Sequence, residues 1–544
     1  MVEARPLEGS ETGRLARPAI ELTFVVLLTG YIALESVWAS FQYGRLSAPS
    51  MFDDVDYFIC GQQWLNELQL SGIIQSAVAL LSHHSPLSSL FAAIAFAIFG
   101  PYDWGPYVIN GVLLGLTFVA VLRFLAHEGA PLLAALIMTL CLAFVPFYQT
   151  TVTEFRPDLF HGVLVAFAIL ILFRSPIFLA PRSRLVRLGL LFGVALLAKP
   201  AVFLAAGFVI SVAVVVSTLG FLNDLKLTLR HEIRSITMAY AYLLLGTAIV
   251  FVPYMAVSGS SILEYVYQAL ISNINVWAYR GDLIQQVLFY SIGDGGGTAL
   301  DFWFWVGLAT FLARMTLAIR SRDQVATTIG GYVSLVIIYL AISSTTLKHY
   351  FLGSMFYATF SLMMARDWVW LFLQAPKQAP VYGTASAYGT LIVLFGVAYA
   401  VIPHPLVAPY PAEMVDATRA ATLDAWNAIL EGERRVKETG RSKPLTVLAN
   451  SNDPVNVRAI ELEARRGQLN VQFQSGDLTA SADEFVAMAK TADLIIVTQS
   501  PQSFLPGERL GESFAAGLQA AGFKALYSID GRGRAPSLVF VPSP

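Results

Sequence analysis

The chain has 544 residues, of which 56% are hydrophobic and only 13% charged. Soluble domains sit near about 45–50% apolar and about 25% charged, and one soluble core stops growing at roughly 250–300 residues. Much of this chain must therefore face lipid, which excludes a purely soluble enzyme, a disordered chain and a fibrous repeat. Its 35 basic and 37 acidic residues leave a net charge of −2, with no basic surplus to suit nucleic acid. Cys60 and Cys141 lie in apolar context and read as core packing.

A bilayer core of about 30 Å takes about 20 apolar helical residues. The first such stretch is Ala19–Phe41, behind a leader carrying Arg5, Arg14 and Arg17 that argues for a cytoplasmic N-terminus. Its length, Glu21 and Glu35, and the spans that follow argue for a retained helix over a cleaved signal. Next come Pro106–Ala126, Pro131–Gln149, Asp158–Phe173, Leu188–Ala198 with Ala201–Gly220, and Thr237–Val257. Leu300–Ile319, Thr327–Ser343, Tyr350–Ala365 and Ala385–Ile402 complete the set. Lys199-Pro200 divides Leu188–Gly220 into two short antiparallel spans, since proline removes a donor and ends helices. Pro86–Gly100 is apolar but short, and reads as an interfacial segment.

The result is about eleven spans, and the basic residues sort accordingly. Arg123, the run Arg174/Arg182/Arg184/Arg187, the trio Lys226/Arg230/Arg234, and Arg320 with Arg322 fall at cytoplasmic loops. The loops 42–105, 150–157 and 258–299, the turns at 199–200 and 344–349, and the tail then lie outside. The expected fold is a mostly α, polytopic membrane bundle over 1–402, with a C-terminal extramembrane α/β domain over 403–544 on the outer, periplasmic face. In that tail an amphipathic helix runs from Pro411 to about Gly440. Strand-like runs follow at Leu445–Ala449, Leu469–Phe473, Leu494–Thr498, Lys524–Ser528 and Leu538–Val541. Helical patterns lie between the first four, as in a three-layer βαβ domain. No GxGxxG or Walker loop occurs there, Gly531-Arg532-Gly533 is only a turn, and the tail reads as an accessory lid.

Ionisable groups at the membrane face are expensive and usually functional. The densest set is Phe52-Asp53-Asp54-Val55-Asp56-Tyr57, just beyond the first span. Three carboxylates so close repel one another unless cations or donors compensate. Apolar residues on both sides hold the cluster against the membrane surface. This segment resembles the Asp-Glu motif that opens the first outer loop of the GT-C membrane glycosyltransferases, the protein O-mannosyltransferases and lipid A aminoarabinose transferases being nearest in pattern. His83-His84-Ser85-Pro86-Leu87 resembles their His-Pro-Pro-Leu, Phe99-Gly100 with Trp104 the Phe-Gly and Glu-Trp that follow, and Arg156-Pro157-Asp158 their Arg-Pro-Asp. Ala198-Lys199-Pro200 resembles their Thr-Lys-Gly-Pro break, and Lys348-His349-Tyr350-Phe351 their Lys…Arg-Tyr segment. Ser88-Ser89 stands where the family has a lysine, and its arginine before the second span is missing around Val108–Asn110.

The resemblance implies an inverting glycosyltransferase that uses a polyprenyl-phosphate-linked sugar on the outer face of the inner (plasma) membrane. The acceptor would be an envelope glycan, a glycolipid or a protein. Asp53 matches the family's catalytic aspartate and is expected to be the base, with Asp54 the alternative or an acceptor-orienting group. Lys348 and His349 are the expected donor-phosphate ligands, with Arg280, near Trp277 and Tyr279, a weaker one. Arg156 and Asp158 either form a structural pair or order the acidic loop and a sugar. His83 and His84 are expected near the substrate; adjacent side chains seldom share one ion, so they are not assigned a metal. The acidic cluster permits a divalent cation or none. Lys199 beside its proline break reads as a snorkelling amine. Two other classes remain open, a lipid or glycan transporter or flippase and a non-catalytic envelope assembly protein. The absence of internal repeats and the placing of charges at span ends disfavour the transporter.

Overall fold

The computed structural model describes residues 11–50, 52–272, 274, 278–321, 325–378, 380–403, 406–407, 409–438, 443–450, 455–479, 481–500, 506–530 and 536–542. Arg5, Trp277, Arg322 and the Gly531–Gly533 turn lie outside the described residues. Helix α1 (Glu11–Tyr43) is followed by three helices of the long first loop, α2 (Phe52–Ser71), α3 (Ile73–Leu81) and α4 (Pro86–Phe99). The bundle continues through α5 (Trp104–His127), α6 (Leu132–Ala143), α7 (Pro146–Thr153), α8 (Asp158–Leu172), α9 (Arg182–Ala198), α10 (Phe203–Asp224) and α11 (Leu229–Tyr267). After the short α12 (Leu283–Leu288) and α13 (Asp294–Ala299) come α14 (Trp303–Ser321), α15 (Val325–Ser343), α16 (Ser354–Gln378) and α17 (Pro380–Val401).

Every expected span is helical. Among the described residues six helices are long and apolar enough to cross a membrane, at Arg17–Tyr43, Trp104–His127, Pro200–Asp224, Leu229–Tyr267, Val325–Ser343 and Gly383–Val401. The others are shorter, interrupted or carry charges. The stretch expected as one span over Pro131–Gln149 is two helices, because the chain breaks at Phe144–Val145 just before Pro146. The break sets α7 off from α6 and delivers Glu154, Phe155 and Arg156 to the first turn of α2. Helix α11 runs 39 residues, well past its expected end at Val257, and carries Tyr265 up to His84. The acidic segment, expected as loop, is helical, with Asp53 and Asp54 in the first turn of α2. The positive end of the helix dipole favours carboxylates there. Below it Val55, Phe58 and Ile59 pack with Ala92 and Phe96 of α4 and with Tyr107 and Phe155.

The expected two-span break at Lys199-Pro200 is present, a short 3-10 turn at Pro200–Val202 between α9 and α10. Helices α9 and α11 pack backbone to backbone. A Cβ on Gly189 would lie 2.2 Å from the Leu243 carbonyl oxygen, and one on Gly246 would lie 2.3 Å from that of Val186. Gly189 and Gly193 are four apart on α9, the small-xxx-small spacing that lets membrane helices approach closely.

The tail begins with α18 (Ala412–Glu438), then alternates β1 (Leu445–Ala449), α19 (Val457–Arg466), β2 (Val471–Ser475), α20 (Ala482–Ala489), β3 (Leu494–Thr498), α21 (Gly511–Ala520), β4 (Lys524–Ile529) and β5 (Ser537–Val541). The sheet order is β2-β1-β3-β5-β4. Strand β1 pairs parallel with β2 and β3, whereas β5 is antiparallel to both β3 and β4. Helix α18 covers one face through Ala421, Ala425 and Ile429, and α20 and α21 cover the other through Phe485 and Phe514. The three layers expected from the strand–helix alternation are present.

The tight crossing yields a stability prediction. Gly189→Val should lower the melting temperature in detergent by the equivalent of about 1–3 kcal/mol, the usual cost of overpacking. Gly297→Ala, where an added Cβ meets nothing within 4 Å, should leave it unchanged.

Candidate active site

Four segments converge on the first turn of α2. Arg45 follows α1 in a 3-10 turn, and its guanidinium lies 2.6 Å from Asp54 Oδ1 and 3.0 Å from Glu154 Oε1. The other Asp54 oxygen accepts from Tyr107 Oη at 2.7 Å and from the Phe155 backbone N–H at 3.0 Å. Asp54 is therefore buried and fully engaged, a structural carboxylate. Asp53 faces the other way, with its side chain 52% exposed. Its only described ion pair is with Arg156, at 2.5 Å. Arg156 also donates through Nε to Glu154 at 2.9 Å. Burial works to raise the Glu154 pKa, but Arg45 and Arg156 outweigh it and hold the carboxyl low.

Arg156 also lies flat over Phe351, 4.2 Å from the ring centroid, and the Lys199 amine lies 5.0 Å from the same centroid. Lys199 is not a snorkelling amine: it is buried and paired with Asp158 at the start of α8. The His349 ring packs 3.9 Å from Phe351, centroid to centroid. Asp53, Arg156, Asp158, Lys199 and His349 thus gather around Phe351. Burial, with Arg156 adding to it, pushes the His349 imidazole down to about 4.

Lys348 and Arg280 are placed differently from expectation. The Lys348 amine donates to the carbonyls of Ser343 at 2.8 Å and Ile342 at 3.4 Å, capping the end of α15. Burial lowers its pKa to about 8. Arg280 is exposed, beside a short pairing of Ala278 with Leu347. His83 accepts at Nδ1 from the Ser85 N–H at 3.1 Å, so its ring proton sits on Nε2. Burial, then His84, brings His83 down to about 3. His84 stacks on Tyr265. Both rings line the α2 side through Tyr57. Among the described residues no three His, Cys, Asp or Glu side chains gather as a metal set.

Sequence reasoning passed over Arg45, Glu154, Tyr107 and Phe351. Arg45 is the one basic residue between the first apolar stretch and the acidic segment, which was a usable signal. A further residue, Arg458 of α19, reaches Asp56 at 3.1 Å and carried no local signal at all. A mostly apolar cleft opens beside Arg156, lined by Leu87, Phe91, Leu113, Phe155, Leu159 and Phe160.

Two predictions follow from this geometry. Asp54→Ala breaks the buried pair with Arg45, which keeps only Glu154, and removes the acceptor of the Tyr107 hydroxyl and the Phe155 N–H; it should cost about 3–5 kcal/mol of stability. Asp53→Ala, half exposed, should cost no more than about 1 kcal/mol; thermal unfolding in detergent compares the two. The second concerns pH. Unfolded, the His349 imidazole takes up a proton near its ordinary value of 6.5, whereas folded it does so only near 4. Between those values the unfolded state binds more protons, so stability falls as pH drops through that window. His349→Gln should flatten the melting-temperature profile there.

Residues 83–256 match the family model for dolichyl-phosphate-mannose-protein mannosyltransferases. That match spans the histidine, Arg-Pro-Asp and Lys-Pro motifs and leaves Asp53 and Lys348 outside. No curated protein sequence matches. A crystal structure of ArnT from Cupriavidus metallidurans bound to undecaprenyl phosphate is similar over 98% of this chain and 100% of that one, at 14% identity and a TM-score of 0.54. A crystal structure of the Archaeoglobus fulgidus oligosaccharyltransferase tethered with an acceptor peptide is matched over 98% of this chain and 74% of that one, at 12% identity and a TM-score of 0.49, too remote to add to the fold assignment. Motifs, family match and ArnT-like architecture agree: the chain is a multi-pass membrane protein with the GT-C fold, similar to the protein O-mannosyltransferases and aminoarabinose transferases.

Proposed function

We propose that this chain is an inverting glycosyltransferase of the inner membrane. It moves a sugar from a polyprenyl-phosphate-linked donor to an envelope glycan, a glycolipid or a protein on the periplasmic face. The observation that supports this most is an exposed carboxylate, Asp53, ion-paired to a buried arginine that shares an aromatic platform with Lys199 and His349. The family model match and the undecaprenyl phosphate bound by the ArnT structure fit the same reading.

In the reaction Asp53 accepts the proton of the acceptor hydroxyl, and that oxygen attacks the anomeric carbon as the bond to phosphate breaks. Attack from the face opposite the phosphate inverts the centre. Preorganised positive charge stabilises the leaving oxygen. We assign that charge to Arg156 and Lys199, with neutral His349 as a hydrogen-bonding partner, because the Lys348 amine is occupied by the end of α15. Asp158 holds Lys199 in place. A phosphate beside Arg156 competes with Asp53 for the guanidinium, so donor binding frees the base. A divalent cation fits this donor set poorly, since Asp53, Asp54 and Asp56 each face an arginine.

The test is transfer by purified protein from a polyprenyl-phosphate sugar to envelope extracts. Asp53→Asn should keep the fold and donor binding and lose about 10²–10⁴-fold in rate, the usual share of general base catalysis. Arg156→Lys should weaken donor binding and slow turnover together, since charge survives but the fork geometry is lost. Transfer should persist in EDTA. A flippase would show no transfer from purified donor at all. For the face, cysteine at Ser475, exposed at the end of β2, should label from outside in spheroplasts; protection there would reverse the topology.

A further inference from the structure

A cleft lies at the carboxyl ends of the paired parallel strands β1 and β2, lined by Phe473, Gln474 and Ser475 of β2, by Asp477 just beyond, and by Arg458 and Glu461 of α19. This cleft abuts the acidic turn. Arg458 holds Glu461 at 2.6 Å through one nitrogen and Asp56 of α2 at 3.1 Å through another. Asp56 and Asp53 are three apart on one helix face, so the cleft ends one turn from the candidate base. The seam is firm: Leu462 packs with Phe58 and Phe96, Arg466 pairs with Asp103 at 2.6 Å, and Asn456 donates to the Ser50 carbonyl at 2.6 Å.

The lining also selects a chemistry. Asp56, Glu461 and Asp477 crowd around Arg458, whose charge is already divided between two of them. Burial outweighs Arg458 and pushes Asp56 up to about 6. A phosphate or carboxylate ligand would meet like charge here. Sugar hydroxyls, in contrast, donate well to carboxylates and amides, and a sugar's apolar face suits an aromatic ring. We propose that this cleft is the acceptor subsite, that it takes a neutral, hydroxyl-rich saccharide, and that Arg458 is the positioning residue tying it to the acidic turn. The inference rests on the transferase reading of Asp53.

The experiment uses the full chain in detergent, with neutral di- and trisaccharides of glucose, mannose, galactose, N-acetylglucosamine and arabinose as probes, followed by saturation-transfer NMR and calorimetry. At least one should bind. Gln474→Ala and Asp477→Asn should weaken it by about tenfold or more, the loss of one good hydrogen bond, with undecaprenyl phosphate binding unchanged. The saccharide that binds should accept sugar from the lipid donor, and Arg458→Lys should raise its KM while the donor KM stays the same. No binding, equal binding by the variants, tighter binding of the matching sugar phosphate, or a bound saccharide that is never glycosylated would overturn the subsite. So would an Arg458→Lys effect confined to kcat. Failure of the transferase reading looks different: no undecaprenyl phosphate binding and no sugar released from the lipid donor, whatever the cleft binds.

Discussion

The buried ion pair between Arg45 and Asp54 is the contact on which the acidic turn and the segments around it depend. Two charges withdrawn from water cost more than their attraction returns unless every remaining lone pair and proton is met. Here they are met by parts of the chain far apart in sequence. Arg45 comes from the end of α1, Asp54 from α2, Tyr107 from α5, and Glu154 with the Phe155 N–H from the turn after α7. The pair therefore fixes where α1, α5 and the turn after α7 meet α2. Asp53 and Arg156 are direct chain neighbours of groups in that knot, so their separation follows from it.

Proline breaks create the room that the knot occupies. Pro146 stops α6 short and lets α7 turn across the outer surface, while Lys199-Pro200 halves what would be a single over-long span. Both breaks expose chain ends just where polar side chains are needed. Lys199 at the end of α9 meets Asp158 at the start of α8. The glycine contact between α9 and α11 sets the depth of α9, and with it the height of Lys199. Packing of small residues deep in the bundle is thereby converted into the placing of one amine at the site.

The bundle and the tail were legible because their signals are local. Apolar runs and prolines marked the helices of the bundle, apart from the break that divides Pro131–Gln149, and the alternation after Pro403 marked each strand within about two residues. The site was legible only in part. Asp53, Arg156, Asp158 and His349 stood in recognisable short motifs. Lys348 stood in one too, but a flexible amine goes to whichever acceptors are nearest, and the open carbonyls ending α15 were nearer than the acidic turn. Lys199 sits 41 residues from Asp158, so its pairing needed the fold of α8 against α9. Arg458 comes from the far end of the chain, and nothing in its own neighbourhood distinguishes it from a surface helix arginine.

In the proposed reaction the arginines also impose an order on the chemistry. Arg156 is shared between Asp53, Glu154 and the face of Phe351. Arg156 occupies an oxygen of Asp53 that the acceptor hydroxyl would need. The same guanidinium is well shaped for two oxygens of a phosphate. A donor phosphate that draws Arg156 toward Lys199 would release that oxygen for the acceptor. Glu154 moderates this exchange, because Arg45 and Arg156 both remain tied to it and the guanidinium can swing without leaving the site. On this view Asp53 is free to meet an acceptor hydroxyl only when a leaving group has drawn Arg156 away.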